Sequence, residues 1–192
     1  MKPQHLAGVL ALCAATATHA APIALRDAVI TATYNGSAAG MLGLDHDFAA
    51  VPGSNTTRLD PSDSGVEFLT ADYLFGIDFA PSGAMTVIAN GAIPAGAYTM
   101  RFDFGGRLAA AIGAITFTSA AGASGIPVAT LLDDDSFALE LGDVAWSEFG
   151  SVTAEISAAA PVPEPATPAL LLAGLAALAA TRTRKPRRAK GG

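Results

Sequence analysis

Between two strongly apolar ends, this chain alternates hydrophobic and polar positions with a period of two. The alternation is clearest where Tyr98, Met100, Phe102 and Phe104 interleave with Thr99, Arg101 and Asp103, which predicts a strand with one buried face. Tyr73, Phe75, Ile77 and Phe79 against Leu74, Gly76 and Asp78 predict a second strand. Phe137, Leu139 and Leu141 against Ala138 and Glu140 predict a third. Less regular runs predict strands over 29–34, 66–71, 85–89, 112–118, 128–132 and 152–157, and a short one near 42–48. Turn chemistry separates them at Pro81-Ser82-Gly83, Asn90-Gly91, Pro94-Ala95-Gly96, Gly105-Gly106, Gly142-Asp143 and Gly150, where glycine admits positive φ and proline presets a negative one.

Many short alternating strands at this spacing predict an all-β domain, an antiparallel, jelly-roll-like β-sandwich over residues 21–157. Residues 35–65 are the segment whose pattern determines least. The alanine run 108–111 is too short and too close to glycine to hold a helix alone. Residues 158–165 are rich in alanine and proline and predict an extended linker.

The ends follow a different logic. Lys2 precedes an apolar stretch over 6–15, and Thr18-His19-Ala20 puts small residues before a cut between Ala20 and Ala21, the pattern of a secretory signal peptide over 1–20. Cys13 follows Leu12, not the small residue a lipoprotein signal needs, and reads as apolar filler. At the other end Pro163, Glu164 and Pro165 precede an apolar run from Ala166 to Ala180, and six of the chain's eleven basic residues follow it. These are Arg182, Arg184, Lys185, Arg187, Arg188 and Lys190. The expectation is a short transmembrane helix over 166–181 and a basic cytoplasmic tail over 182–192, oriented by the positive-inside rule. Fifteen residues at about 1.5 Å each reach roughly 22 Å, short of the roughly 30 Å hydrocarbon core, which suits temporary residence better than a permanent anchor.

This order of Pro-Glu-Pro, apolar helix and arginine-rich end resembles the PEP-CTERM sorting signal of Gram-negative bacteria. Pro168 sits near the first turn of the helix, where proline is tolerated. The resemblance implies recognition and cleavage by the membrane protease-transpeptidase exosortase, with signal peptidase acting at the N-terminus and the inner membrane a transient partner. It further implies export to the cell surface or extracellular matrix, in a setting of exopolysaccharide and biofilm.

Composition narrows what the exported region can do. From Ala21 to Pro161 four arginines face sixteen acids, a net charge of −12 that the basic tail masks in the whole-chain value of −6. Nucleic acid is therefore not an expected partner. That region has no cysteine, no lysine and one histidine, His46, which removes thiol nucleophiles, Schiff-base lysines, a P-loop and zinc sites needing two histidines. No Gly-x-Ser-x-Gly elbow is present for a serine triad. The chain is thus expected not to be an enzyme and to need no cofactor, although a carboxylate-only glycoside hydrolase uses only residue types it has.

Calcium is the one metal the composition admits, and Asp133, Asp134 and Asp135 are weak candidate ligands beside Asp45/Asp47 and Asp60/Asp63/Glu67. None has EF-hand spacing, and aspartate at a turn commonly bonds its own backbone. Trp146 is expected in the core, with sugar stacking as the alternative. The segment 93–100 is locally similar to the turn-plus-strand of extracellular β-sandwich modules, including carbohydrate-binding ones. The leading expectation is a non-enzymatic surface or matrix protein associated with exopolysaccharide, and a carbohydrate- or calcium-binding module that holds matrix polysaccharide is the alternative. Asn35-Gly36-Ser37 and Asn55-Thr56-Thr57 are glycosylation sequons in form and are read as ordinary loop sequence.

Overall fold

The computed structural model describes residues 20–44, 54–59, 62, 65–160 and 174–175. Residues up to Ala160 form one unit and those from Pro161 a second, of which only Gly174 and Leu175 are described, both helical. Among the described residues no helix is long and apolar enough to cross a membrane. The predicted membrane helix, apart from those two residues, and the signal peptide up to residue 19 lie outside the described residues.

The first unit is all-β. Its strands are β1 (Val29–Tyr34), β2 (Met41–Gly43), β3 (Thr56–Arg58), β4 (Phe68–Thr70), β5 (Phe75–Phe79) and β6 (Ala84–Ala89), followed by β7 (Thr99–Asp103), β8 (Ile112–Ser124), β9 (Val128–Leu131), β10 (Ser136–Glu140) and β11 (Ala145–Ala158). They form two antiparallel sheets, five-stranded β3-β1-β7-β10-β9 and six-stranded β2-β4-β5-β6-β11-β8. The alternating residues predicted to be buried are buried: Met100 and Phe102 of β7, Met85, Val87 and Ala89 of β6, Phe137 and Leu139 of β10. Rings cross between the sheets, Phe79 meeting Phe102 edge to face at 5.1 Å and Phe68 lying 6.2 Å from Phe102. The result is a sandwich with one core.

The connections are more local than a jelly roll, whose strands follow two Greek keys. Here β4, β5 and β6 follow one another as a meander and β9 and β10 form a hairpin, because short turns join them. The reversal between β5 and β6 uses Gly83 at φ 97°, where a Cβ would stand 2.4 Å from the Ile23 carbonyl oxygen.

Two further expectations need correction, and the undetermined segment holds one more strand. Tyr73 is not on the buried face of β5 but at the preceding turn, with φ 59° and 60% exposure. Thr70 and Asp72 set that turn: the Thr70 hydroxyl donates to Asp72 at 2.6 Å, and the Phe75 and Leu74 amides donate to Thr70 Oγ1 and Asp72 Oδ1 at 3.0 and 3.1 Å. Strand pairing therefore starts at Phe75. Gly150 is no turn, because β11 runs through it with a register shift between Trp146 and Ser151. Its lack of a side chain is needed there for close approach, a Cβ standing 2.4 Å from the Gly122 carbonyl oxygen. Finally β3, inside the undetermined segment, pairs with β1 in register Ile30 to Thr57.

Phe102 touches rings from both sheets, whereas the Phe149 ring is exposed. Phe102→Ala should cost about 3–5 kcal/mol of unfolding free energy, and Phe149→Ala less than about 0.5 kcal/mol. Urea denaturation of the two variants checks the contrast.

Candidate functional site

The sorting residues Pro163, Glu164 and Pro165 and the basic cluster Arg182, Arg184, Lys185, Arg187 and Arg188 lie outside the described residues, as do Asp45, His46, Asp47, Asp60 and Asp63. What the structure places is the point from which that tail departs. The Ala158 amide donates to the Ala21 carbonyl at 2.8 Å and the Ile23 amide to the Ile156 carbonyl at 2.9 Å, with Pro22 bridged to Ser157. The first described residues of the sandwich thus lie beside the last ones. Ala20 and Ala21 are both exposed, and the backbone hydrogen bonds of the fold begin at Ala21.

The aspartate triplet forms the hairpin between β9 and β10. Asp133 accepts a hydrogen bond from the Asp135 amide at 3.0 Å, and the Asp134 and Asp135 carbonyls accept from Ile112 and Phe104 at 2.7 and 3.0 Å. Asp133, Asp134 and Asp135 thus do turn and loop work. Among the described residues no three His, Cys, Asp or Glu side chains are grouped to hold a metal ion. Glu67, the remaining weak calcium candidate, is buried, and its Oε2 accepts the Phe79 amide at 2.7 Å. Both sequon asparagines bond to backbone: Asn35 Oδ1 accepts the Thr99 amide at 2.9 Å and Asn55 Nδ2 donates to the Ala32 carbonyl at 2.7 Å.

Trp146 packs in the core against Phe75, edge to face at 5.5 Å, as expected for a sole tryptophan. Tyr98, by contrast, is half-buried and lines a depression of about 300 Å³ together with Thr99, Ile126, Val128, Glu140 and Asp143. Its ring is held edge to face on Phe75 at 5.4 Å and lies so close over Gly96 that a Cβ there would stand 2.9 Å from it. The Leu141 amide donates to the Tyr98 carbonyl at 2.9 Å, and the Gly142-Asp143 turn follows directly, which brings Asp143 to the rim. A fixed aromatic wall, two carboxylates and two exposed aliphatic side chains therefore converge. Alternation in the sequence marked Tyr98 only as the start of a buried face; its pairing with Glu140 and Asp143 depends on strand register and carries no local signal.

Asp133 and Asp135 titrate apart. A hydroxyl from Ser136 and the Asp135 amide favour ionised Asp133 and hold it below the usual carboxylate range, while the neighbouring Asp133 carboxylate pushes Asp135 above it. Lowered Asp133 contributes stability at neutral pH that is lost as pH falls through its folded pKa; raised Asp135 contributes stability at acid pH that is lost as pH rises through its own. The two oppose, so the measurable effect is in the individual titrations. Carboxyl-detected NMR should give Asp135 a higher midpoint than Asp133, and Asp133→Asn should bring Asp135 back toward the ordinary aspartate value.

No curated protein and no solved structure matches the chain. The model of the PEP-CTERM protein-sorting motif matches residues 161–188, which span the Pro-Glu-Pro triplet, the apolar run and the first five basic residues beyond it. The chain is therefore a β-sandwich that carries a C-terminal PEP-CTERM protein-sorting motif.

Proposed function

We propose that this is an exported protein, processed by signal peptidase after Ala20 and by an exosortase at or near Pro163-Glu164-Pro165, which ends at the cell surface or in the extracellular matrix. The sorting motif at 161–188 carries this reading. A cut after Ala20 leaves intact every backbone hydrogen bond from Ala21 onward, and release anywhere beyond Ala160 removes nothing from the sandwich. Residues 166–181 serve as a temporary membrane helix with the basic end retained in the cytoplasm. The sandwich itself acts by binding or scaffolding in an exopolysaccharide and biofilm setting, without catalysis and without a required cofactor.

Intact mass spectrometry of the extracellular protein, from a normal host strain and one lacking its exosortase, tests this. The expected product lacks residues 1–20 and everything beyond the Pro-Glu-Pro region, and it disappears in the deficient strain. A basic tail retained in both strains would mean a plain anchor.

A second reading, a carbohydrate-binding module, is favoured by the depression at Tyr98. A sugar offers an apolar ring face to an aromatic wall and hydroxyl donors to carboxylates, and Tyr98, Glu140 and Asp143 supply both. Calorimetric titration with oligosaccharides cut from the host's exopolysaccharide should show binding that Tyr98→Ala weakens at least tenfold. No heat with any fragment would remove this reading and leave the sorting one untouched.

A further inference from the structure

Charge is distributed unevenly over the exported region. Its sixteen acids and four arginines leave the stretch between Arg107 and Asp133 with no charged residue at all. That stretch supplies β8 and β9, the edge strands of the six-stranded and the five-stranded sheet, which touch each other and are joined by Gly125, Ile126 and Pro127. The two strands of one side wall of an otherwise strongly acidic sandwich therefore carry no charge, with Glu140 and Asp143 the acids beside its Ile126 and Val128 end.

The wall is also unfinished in two physical senses. Among the described residues β8 pairs only with β11, so beyond Ile112, whose amide is taken by the Asp134 carbonyl, its outer row of backbone donors and acceptors has no described strand beside it. Of the six large hydrophobic side chains exposed on this unit, four are Ile126, Val128, Leu131 and Leu132, with Ile126 71% exposed. An open groove of about 190 Å³ runs between Phe117 and Ile126 with Pro127 at its side. Edge strands of monomeric proteins are ordinarily protected by lysine, proline or a covering loop. β8, thirteen residues long, has no charged residue and no proline.

We propose that this wall is the interface with a second copy of the same chain, β8 pairing antiparallel with its counterpart across a two-fold axis to make the two six-stranded sheets continuous. Two bodies of net charge −12 repel wherever their acids face each other, and the neutral wall is where that repulsion is least. An antiparallel pairing of one edge with itself needs no complementary charge and satisfies both rows of backbone groups at once. The same approach carries β9 of each copy toward its partner and covers Ile126 and Val128. A basic partner would instead be drawn to the acidic surfaces, away from this wall.

The geometry also closes the assembly at two. Three register shifts leave Gly113, Thr118 and Gly122 unpaired with β11, so the longest regular parts of the edge are Ala114 to Phe117 and Ser119 to Ala121. Such bulges twist an edge and restrict how it pairs. The strands at the opposite edges, β2 and β3, have three residues each and offer no comparable length for propagation.

Sedimentation velocity of the protein purified from its host, over a dilution series, should show a dimer that dissociates on dilution. Thr118→Lys combined with Ala120→Lys should give monomer throughout, and Ala39→Lys, the same charge placed beside β2, should leave the dimer intact. Because the exported region has no cysteine, single cysteines placed in turn at Ala114, Thr116, Thr118 and Ala120 offer a test that does not depend on destabilising anything: mild oxidation should give a disulfide-linked dimer for the position nearest the two-fold axis. A wild-type monomer at every concentration, a dimer indifferent to the β8 lysines while circular dichroism shows the strands intact, or failure of all four cysteines to cross-link would overturn the proposal.

Discussion

The ring contacts between Phe79 of one sheet and Phe102 of the other, extended by Phe68, Phe104 and Phe137, are the interaction on which the rest of the molecule depends. The exported region has no cysteine, so no covalent staple supplements this packing in an oxidising compartment. Each edge-to-face pair adds about 0.5–1.5 kcal/mol beyond the burial of its area. Because aromatic rings must interleave at fixed separations, they also set how the sheets lie over each other. The second group, where Phe75 meets Tyr34, Tyr98 and Trp146, carries the same constraint to the end of the sandwich and is what immobilises the Tyr98 ring at the surface.

Glu67 and Thr57, two of the polar side chains taken into this core, each serve a backbone group. Glu67 is buried where β5 ends, accepting the Phe79 amide, and the Thr57 hydroxyl donates to the Leu44 carbonyl. A buried carboxylate costs free energy unless it is paired or hydrogen-bonded, and a backbone amide left without an acceptor costs about 1–3 kcal/mol. Placing the side chain there satisfies one requirement with the other. The exposed ion pairs, Arg58 with Asp27 at 3.6 Å and Arg101 with Asp103 at 3.7 Å, add little by comparison.

How much of this was legible in the sequence depends on the range of the physics concerned. Period-two burial is local, so β1, β6, β7 and β10 stand where the alternation of their residues predicted them. Tyr73 misled because its apolar ring continues the alternation of Phe75 and Ile77, while the hydrogen bonds that make a turn there come from Thr70 and Asp72. Gly150 misled for the converse reason: glycine marks a turn and a close backbone approach alike, and only the position of Gly122 on β8 decides between them. β3 is three residues of threonine and arginine whose alternation is too short to register, and its existence rests on β1. The lining of the Tyr98 depression was equally invisible, since Glu140 and Val128 come beside Thr99 only through the registers of β10. The sorting motif was legible for the opposite reason, because a membrane-read signal is linear and needs no fold to present it.

The placement of the ends bears on how such a signal can be attached to a folded domain. Core burial starts at Ile23 and ends at Ile156, and these two residues are hydrogen-bonded neighbours, so the chain enters and leaves the sandwich at one place. Ile156 in turn donates its amide to the Gly83 carbonyl at 2.9 Å, which ties both ends to the β5–β6 turn. The described strands and core side chains all lie between Ile23 and Ala158. Under the proposed processing, cuts outside this span remove no described strand, so processing at one end places no demand on processing at the other.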